Sequence, residues 1–276
     1  QGKGRYAPLA WDFAIEAGEL TLAPPMLQWR NVRGAYGPHA VKKAAGQVRW
    51  LDDVFLEVSQ LEAVLAAKEL KKENLSYFKE ISENLRRHIT QVDGRIELHN
   101  TTISGKASKP DLWTAASDIL VRNLAVETPF FPEPLLIKEG KGFFSNKEIA
   151  VSSATGSILG DTFTLGASLT HQAFASLRGK ISLQGRVGQG LGQWLKERQI
   201  IKPVLFPQLP FQVESLQIDL QEEITQVKGL IQPAEMIFSP PKADFSLELA
   251  KNDALKMAVH VYGGTEEAKI ALNFPD

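Results

Sequence analysis

The sequence predicts a mainly β fold with a few helices: an elongated, curved antiparallel β-meander, built as a repeating β-groove or an open sandwich. Three observations carry this. Apolar and polar residues alternate in run after run, as they do on a strand with one apolar and one solvated face. Gly, Pro, Asn and Asp interrupt the runs about every 8–12 residues, which is hairpin spacing rather than βαβ spacing. Helical spacing appears in only two places, near 61–89 and near 191–199.

Taken in order, the first alternations are Phe13/Ile15 and Leu20/Leu22, followed by a Trp-rich strand pair with a Gly turn between Trp29 and Trp50. Leu61, Val64 and Leu65, then Phe78, Ile81 and Leu85, form apolar stripes at helical spacing, so helices are expected over 61–73 and 76–89, with Asn74-Leu75-Ser76 capping the second. The clearest strand is 163–170, with Phe163, Leu165, Ala167 and Leu169 on one face and Thr, Gly and Ser on the other. The same pattern recurs at Ile181/Leu183, Leu216/Ile218/Leu220, Phe245/Leu247/Leu249, Met257/Val259/Val261 and Ile270/Leu272/Phe274. A short helix is expected at 191–199, after Gly188-Gln189-Gly190-Leu191-Gly192 and before Pro203.

A loose internal repeat accompanies these elements. Gly34-Ala35-Tyr36-Gly37 leads to Gly46 and a strand ending at Trp50; Gly156-Ser157-Ile158-Leu159-Gly160 leads to Gly166 and a strand ending at Thr170. A third copy runs from Phe211 to Phe274. The expectation is one elongated β-rich module over 1–276, with repeats 1–60, 92–187 and 211–276 and a helical insert at 61–89; each unit of such an array buries its apolar face on the next.

Composition excludes several classes of function. The chain has 276 residues, with Lys and Arg numbering 31 and Asp and Glu 32, for a net charge of -1. That is not the basic excess of a nucleic-acid binder, so no nucleic-acid partner is expected. The absence of cysteine removes disulfides, zinc-thiolate sites, iron–sulfur clusters and thiol nucleophiles. No apolar run reaches the roughly 18 residues of a membrane span, and no signal-peptide pattern opens the chain.

Catalytic patterns are missing too. There is no G-x-S-x-G elbow, and none of His39, His88, His99, His171 and His260 forms an H-x-H or H-E-x-x-H pair. Asp52-Asp53, Glu222-Glu223 and Glu266-Glu267 are adjacent residues, which point to opposite faces of a strand and cannot face each other across a cleft. The glycine run at 188–192 lacks the spacing and the Lys of a phosphate loop. Asn74-Leu75-Ser76 and Asn100-Thr101-Thr102 fit the N-glycosylation pattern, which has meaning only in a secreted eukaryotic protein. Lysines, arginines and glutamates interleave over 62–87, as on a salt-bridged, solvated helix face. No catalytic residue, metal site or cofactor is expected. What remains is apolar sheet surface, which a closed sandwich would bury and a long open sheet would leave as a trough suited to acyl chains, at roughly 0.8 kcal/mol per buried CH₂.

The order of features carries a resemblance. After the Trp-rich strand pair come 92–105 (VDGRIELHNTTISG), 137–143 (IKEGKGF), 149–157 (IAVSSATGS) and 161–169 (DTFTLGASL). This succession of degenerate strands and glycines resembles the AsmA-like family of Gram-negative envelope proteins, the group of AsmA, TamB and YhdP, most closely over 90–235. The resemblance implies a parent protein anchored in the inner membrane by an N-terminal helix, of which this chain is a periplasmic fragment. It implies an apolar β-groove along which phospholipid passes, a role in outer-membrane homeostasis, and no catalytic residues. The groove-facing candidates on that reading are Ile149, Val151, Phe163, Leu165, Leu169, Ile181 and Leu183; the alternative is that they are ordinary core. Phospholipid or another acyl lipid is the expected ligand, with an envelope protein as a further partner. The other function readings are a scaffold that docks a partner by β-augmentation and a glycan-active enzyme using tryptophans such as Trp11, Trp29, Trp50, Trp113 and Trp194 as platforms, which no set of convergent carboxylates supports.

Overall fold

The structure is a computed structural model describing residues 2–4, 12–69, 89–109, 112–172, 176–198, 209–222, 224–234, 242–250, 255–263 and 268–274. The chain divides into two compact units, Gln1–Ile149 and Ala150–Asp276. The division lies inside the segment 92–187 expected as the second repeat.

The first unit is an antiparallel meander of β1 (Gly2–Gly4), β2 (Phe13–Ala23), β3 (Met26–Tyr36), β4 (His39–Trp50), β5 (Val54–Ala66), β6 (Gln91–Lys106), β7 (Thr114–Glu127) and β8 (Leu135–Ser145). Each strand pairs with its neighbours in sequence. The predicted β-rich meander is therefore what the chain forms. A buried apolar cluster of Ala67, Leu124 and Val126 packs with Val92, Ile96, Val121, Leu135 and Ile137 near one end of β6–β8.

The helix expected over 61–89 is corrected in its first part. Residues up to Ala66 belong to β5, and Ala67–Glu69 make a 3₁₀ turn; 70–88 lie outside the described residues. Leu61, Val64 and Leu65 fit a helical stripe, but Leu61, Ala63 and Leu65 fit period two equally well, and so short a run does not discriminate. Pairing decides. β5 has β4 on one side (Ala44↔Leu61, Ala40↔Val64) and β6 on the other (Leu65↔Ile96), so its backbone donors and acceptors are used along both edges. Glu62, expected on a charged helix face, lies instead across from Lys43.

Bulges bend this meander. Register shifts interrupt the pairing on both sides of β3, β4 and β5, and again between β6 and β7. Asn31, Asn100 and Asn123 sit at or beside the irregular stretches with φ of 51°, 49° and 50°. Asn tolerates this left-handed conformation better than other residues with a side chain, and an extra residue there increases local twist. The Asn100 side chain donates to Asp118 Oδ2 at 2.8 Å, tying the bulge to the next strand.

The second unit begins two residues into β9 (Glu148–Ile158) and continues with β10 (Asp161–Gln172), β11 (Ser176–Val187), helix α1 (Gln189–Glu197), β12 (Phe211–Leu220), β13 (Ile224–Pro233), β14 (Lys242–Ala250), β15 (Leu255–Tyr262) and β16 (Ala268–Phe274). Strand order again follows chain order, with antiparallel registers from β10 to β16. Leu159 and Gly160, with φ of 50° and 82°, close the β9–β10 hairpin in a conformation whose twist matches the flanking strands. The helix expected at 191–199 is α1, beginning two residues earlier.

In three places an aromatic ring lies over a glycine on the adjacent strand. Trp29 covers its cross-strand partner Gly46, Phe245 covers its partner Gly229, and Trp113 covers Gly105 while donating from Nε1 to the Lys106 carbonyl at 2.6 Å. The ring takes the space of the missing side chain. Gly46→Ala or Gly229→Ala should thus cost about 1–3 kcal/mol by overpacking, measured by urea unfolding, although alanine is intrinsically the better strand residue. A gain in stability at both positions would show that the rings are not held in place.

His39, 5% exposed, stacks on Tyr36 and accepts a hydrogen bond at Nδ1 from the Ala66 N–H at 3.2 Å. Burial lowers its pKa below 6.5, partly opposed by the Glu69 carboxylate. The neutral form is favoured in the folded chain and the unfolded chain binds the proton more readily. His39 therefore contributes stability above about pH 6.5 that is lost as the pH falls through the folded pKa. His39→Asn keeps an acceptor near Nδ1 and should flatten stability between pH 7 and 5 in denaturant titrations; an unchanged slope would assign the pH dependence elsewhere.

Candidate functional site

The second unit carries a continuous apolar face, assembled by register. One row runs Leu165, Leu183, Leu216, Gly229, Phe245, Val259 and Ile270, each directly across from the next. A second row runs Ala167, Ile181, Ile218, Val227, Leu247, Met257 and Leu272, and a third Phe163, Gly185, Val213, Ile231, Ala243, Val261 and Ala268. Directly opposed residues share a face, and so do residues two apart on a regular strand. The three rows thus form one surface across β10 to β15, and the pairing continues into β16.

Pairing brings most of the predicted site residues together. Leu165 lies across from Leu183, Ala167 beside Ile181, Leu169 across from Gly179, and Phe163 across from Gly185. Phe163, Leu165, Ile181 and Leu183 are half-buried, whereas Leu169 is 8% exposed. Ile149 and Val151, also half-buried, lie two positions apart in β9; Ile149 is the last residue of the first unit. The prediction omitted Val213, Val227 and Ile231, which carry the surface through β12 and β13. The alternation Val227/Gly229/Ile231 was the available signal.

The opposite face is polar and internally paired. Gln226, Glu248 and Lys256 form a cross-strand ladder, with Gln226 donating to Glu248 Oε2 at 3.3 Å and Lys256 to Glu248 Oε1 at 3.1 Å. His260 and Asp244 stand 3.5 Å apart. Open hollows of about 620 and 510 Å³ are lined chiefly by this side, among them Lys228, Ser246, Glu248, Lys256, Ala258 and Lys269. The first unit has the same sidedness: Gln28, Gln47 and Glu57 form a polar ladder, with Gln47 donating to Glu57 at 2.6 Å.

Cover over the apolar face is partial. α1 packs Leu191 and Leu195 onto Val187, Phe211 and Val213, which Leu209, Leu216 and Ile231 also touch, at the margin formed by one end of β11–β13. Among the described residues no large side chain is completely buried.

Nothing else among the described residues assembles into a reactive site. Asp52 and Asp53 sit in the bend before β5, and Glu222 pairs with Arg178 at 2.8 Å; Glu223, Glu266, Glu267, His88 and the first glycosylation-type triplet lie outside the described residues. His171 is buried in β10, and no group of three His, Asp or Glu among the described residues converges to hold a metal ion. No helix among them is long and apolar enough to cross a membrane.

A half-covered face and an enclosed position respond differently to truncation. Leu169→Ala should cost about 2–4 kcal/mol, and Leu165→Ala only about 1 kcal/mol, because much of the Leu165 side chain already meets solvent. Urea unfolding of both variants measures the difference. Equal costs would place Leu165 under a cover as complete as that over Leu169.

No family model matches the chain, and no curated protein and no solved structure matches it.

Proposed function

We propose that this chain is a non-catalytic cell-envelope module that binds or conducts phospholipid along the apolar face of β10–β15. The observation that carries the reading is that this face is continuous over three rows of cross-strand pairs from β10 to β15, with most of its apolar side chains only half-buried. Acyl chains suit such a surface, since each buried CH₂ contributes roughly 0.8 kcal/mol and needs no polar partner. The polar ladder on the other side keeps that side in water. The resemblance to the AsmA-like family supplies the setting: a periplasmic segment of a protein anchored in the inner membrane of a Gram-negative bacterium, acting in outer-membrane homeostasis and phospholipid transport.

A second reading rests on a different observation. Among the described residues β16 lies at the end of the strand order, paired with β15, and strand addition along a sheet edge is a general mode of partner docking. On that reading the chain is a scaffold for another envelope protein and holds no lipid.

Native mass spectrometry of the purified chain, with solvent extraction and lipid analysis, separates the two. Phospholipid is expected at near-stoichiometric occupancy, and Leu165→Asp combined with Leu183→Asp should abolish it while the β-sheet circular dichroism persists. A chain that stays lipid-free after incubation with phosphatidylethanolamine–phosphatidylglycerol vesicles would overturn the lipid reading in favour of the scaffold.

A further inference from the structure

Helix α1 is short, and its start lacks a capping side chain of its own. It spans nine residues, and its N-cap is Gly188, which offers no side-chain oxygen to the first turn. A helix of this length is not stable in isolation. Two contacts hold it. One is apolar: Leu191 and Leu195, one turn apart, rest with Leu209 on the buried cluster Val187, Phe211 and Val213. The other is polar: the carboxylate of Asp161, at the start of β10, accepts a hydrogen bond from the Gly188 N–H at 2.8 Å. Gly188 approaches so closely that a Cβ there would meet the Asp161 carboxylate at 2.6 Å. Asp161 thus ties Gly188, the residue at which the helix starts, to β10 beside the β9–β10 turn, where Gly190 lies over the Leu159 carbonyl.

The apolar contact falls on the candidate surface itself. Val213 belongs to the third row, and Val187 and Phe211, directly opposed to each other, lie two residues beyond Gly185 and Val213 on the same face. Whatever lies on those residues competes with Leu191 and Leu195.

We infer that α1 is a latched cover over the β11–β12 margin of the apolar face: Asp161 holds it shut, and its displacement uncovers Val187, Phe211 and Val213 for an acyl chain. The role of the acyl chain rests on the function proposed above; the latch does not. α1 is then an internal competitor, so lipid uptake at this margin requires the helix to leave, and a weakened latch favours uptake.

Hydrogen exchange of the whole chain, read by mass spectrometry over 189–197, tests the latch, with Asp161→Ala as one variant and Leu191→Ala/Leu195→Ala as a second that releases the helix from its other side. Losing this tie, like losing a cap, should speed α1 exchange by roughly five- to tenfold, with the 211–220 peptide unchanged because its ladder hydrogen bonds remain. Fluorescence of added anilinonaphthalene sulfonate should rise severalfold in both variants as the margin is uncovered. With phosphatidylglycerol vesicles, Asp161→Ala should retain more lipid than the wild type, and lipid-loaded wild type should show faster α1 exchange than lipid-free chain. Unchanged α1 exchange in Asp161→Ala, or equally faster exchange in 211–220, overturns the latch. Slower α1 exchange on lipid loading overturns the competition and makes α1 a clamp. A wild-type chain that takes up no lipid refutes the lipid reading of the face, while exchange and dye binding still decide the latch.

Discussion

Register is the constraint on which everything else in this chain depends. In a meander with one sheet per unit, no second sheet fixes which side of a strand is inside; the side is chosen by which residues stand opposite each other. Leu165 faces Leu183, Leu183 faces Leu216 and Phe245 faces Val259, so the apolar rows exist only in this alignment. A slip of one residue in β11 would set Lys180, Ser182 and Gln184 among the leucines and move Ile181 and Leu183 to the ladder side. The tight Leu159–Gly160 turn fixes the start of β10, and the polar ladders supply the matching preference on the other face. Both faces therefore specify the same register, which is the agreement between local and global preferences that gives a sequence one fold.

The bulges look like interruptions of that register, but at least one of them preserves it. Val213 and Leu216 are three apart and would point to opposite sides of a regular strand. The extra residue at Glu214 shifts the pairing, so that Val213 stands with Gly185 and Ile231 while Leu216 stands with Leu183 and Gly229. The displaced Glu214 pairs with Lys242 at 3.6 Å. Sidedness survives, and the strand gains the bend that a bulge brings. The asparagines of the first unit do related work at Asn31, Asn100 and Asn123, where the left-handed backbone would be costlier for a branched residue.

These devices explain what was legible in the sequence. Strands with unbroken alternation, β10, β11, β14 and β15, stand out because period two runs through them without insertion, and α1 because a glycine run precedes a short amphipathic stretch. β13 was obscured: Gly229 leaves a gap in the apolar run, and Leu230 places an apolar residue on the polar side. The gap is filled by the Phe245 ring, a long-range contact with no local signature. β5 was misassigned because its end satisfies two periods at once, and the deciding information, a partner on each side, lies in β4 and β6. The candidate site was legible strand by strand through Phe163, Leu165, Ile181 and Leu183. Its extent to β15 was not, since extent is a property of pairing.

The same pairing ties stability to function. An apolar surface left half in water contributes less to folding than an enclosed one, at roughly 25 cal/mol per Å² not removed from solvent. The second unit recovers part of that deficit by folding α1 onto the margin of β11–β13, where Val187, Phe211 and Val213 become its most enclosed cluster. The helix cannot extend this cover over β14–β16, because nine residues span only about 14 Å, whereas three more strands add a similar distance again at roughly 4.8 Å each. The uncovered width is left for something else to fill. The proposed acyl chain would fill it without disturbing the register, since it makes no hydrogen bonds and would leave the ladders intact. A polar ligand would have to replace apolar rows that the fold itself requires. The demand that keeps these strands in alignment is thus the one that keeps the surface apolar.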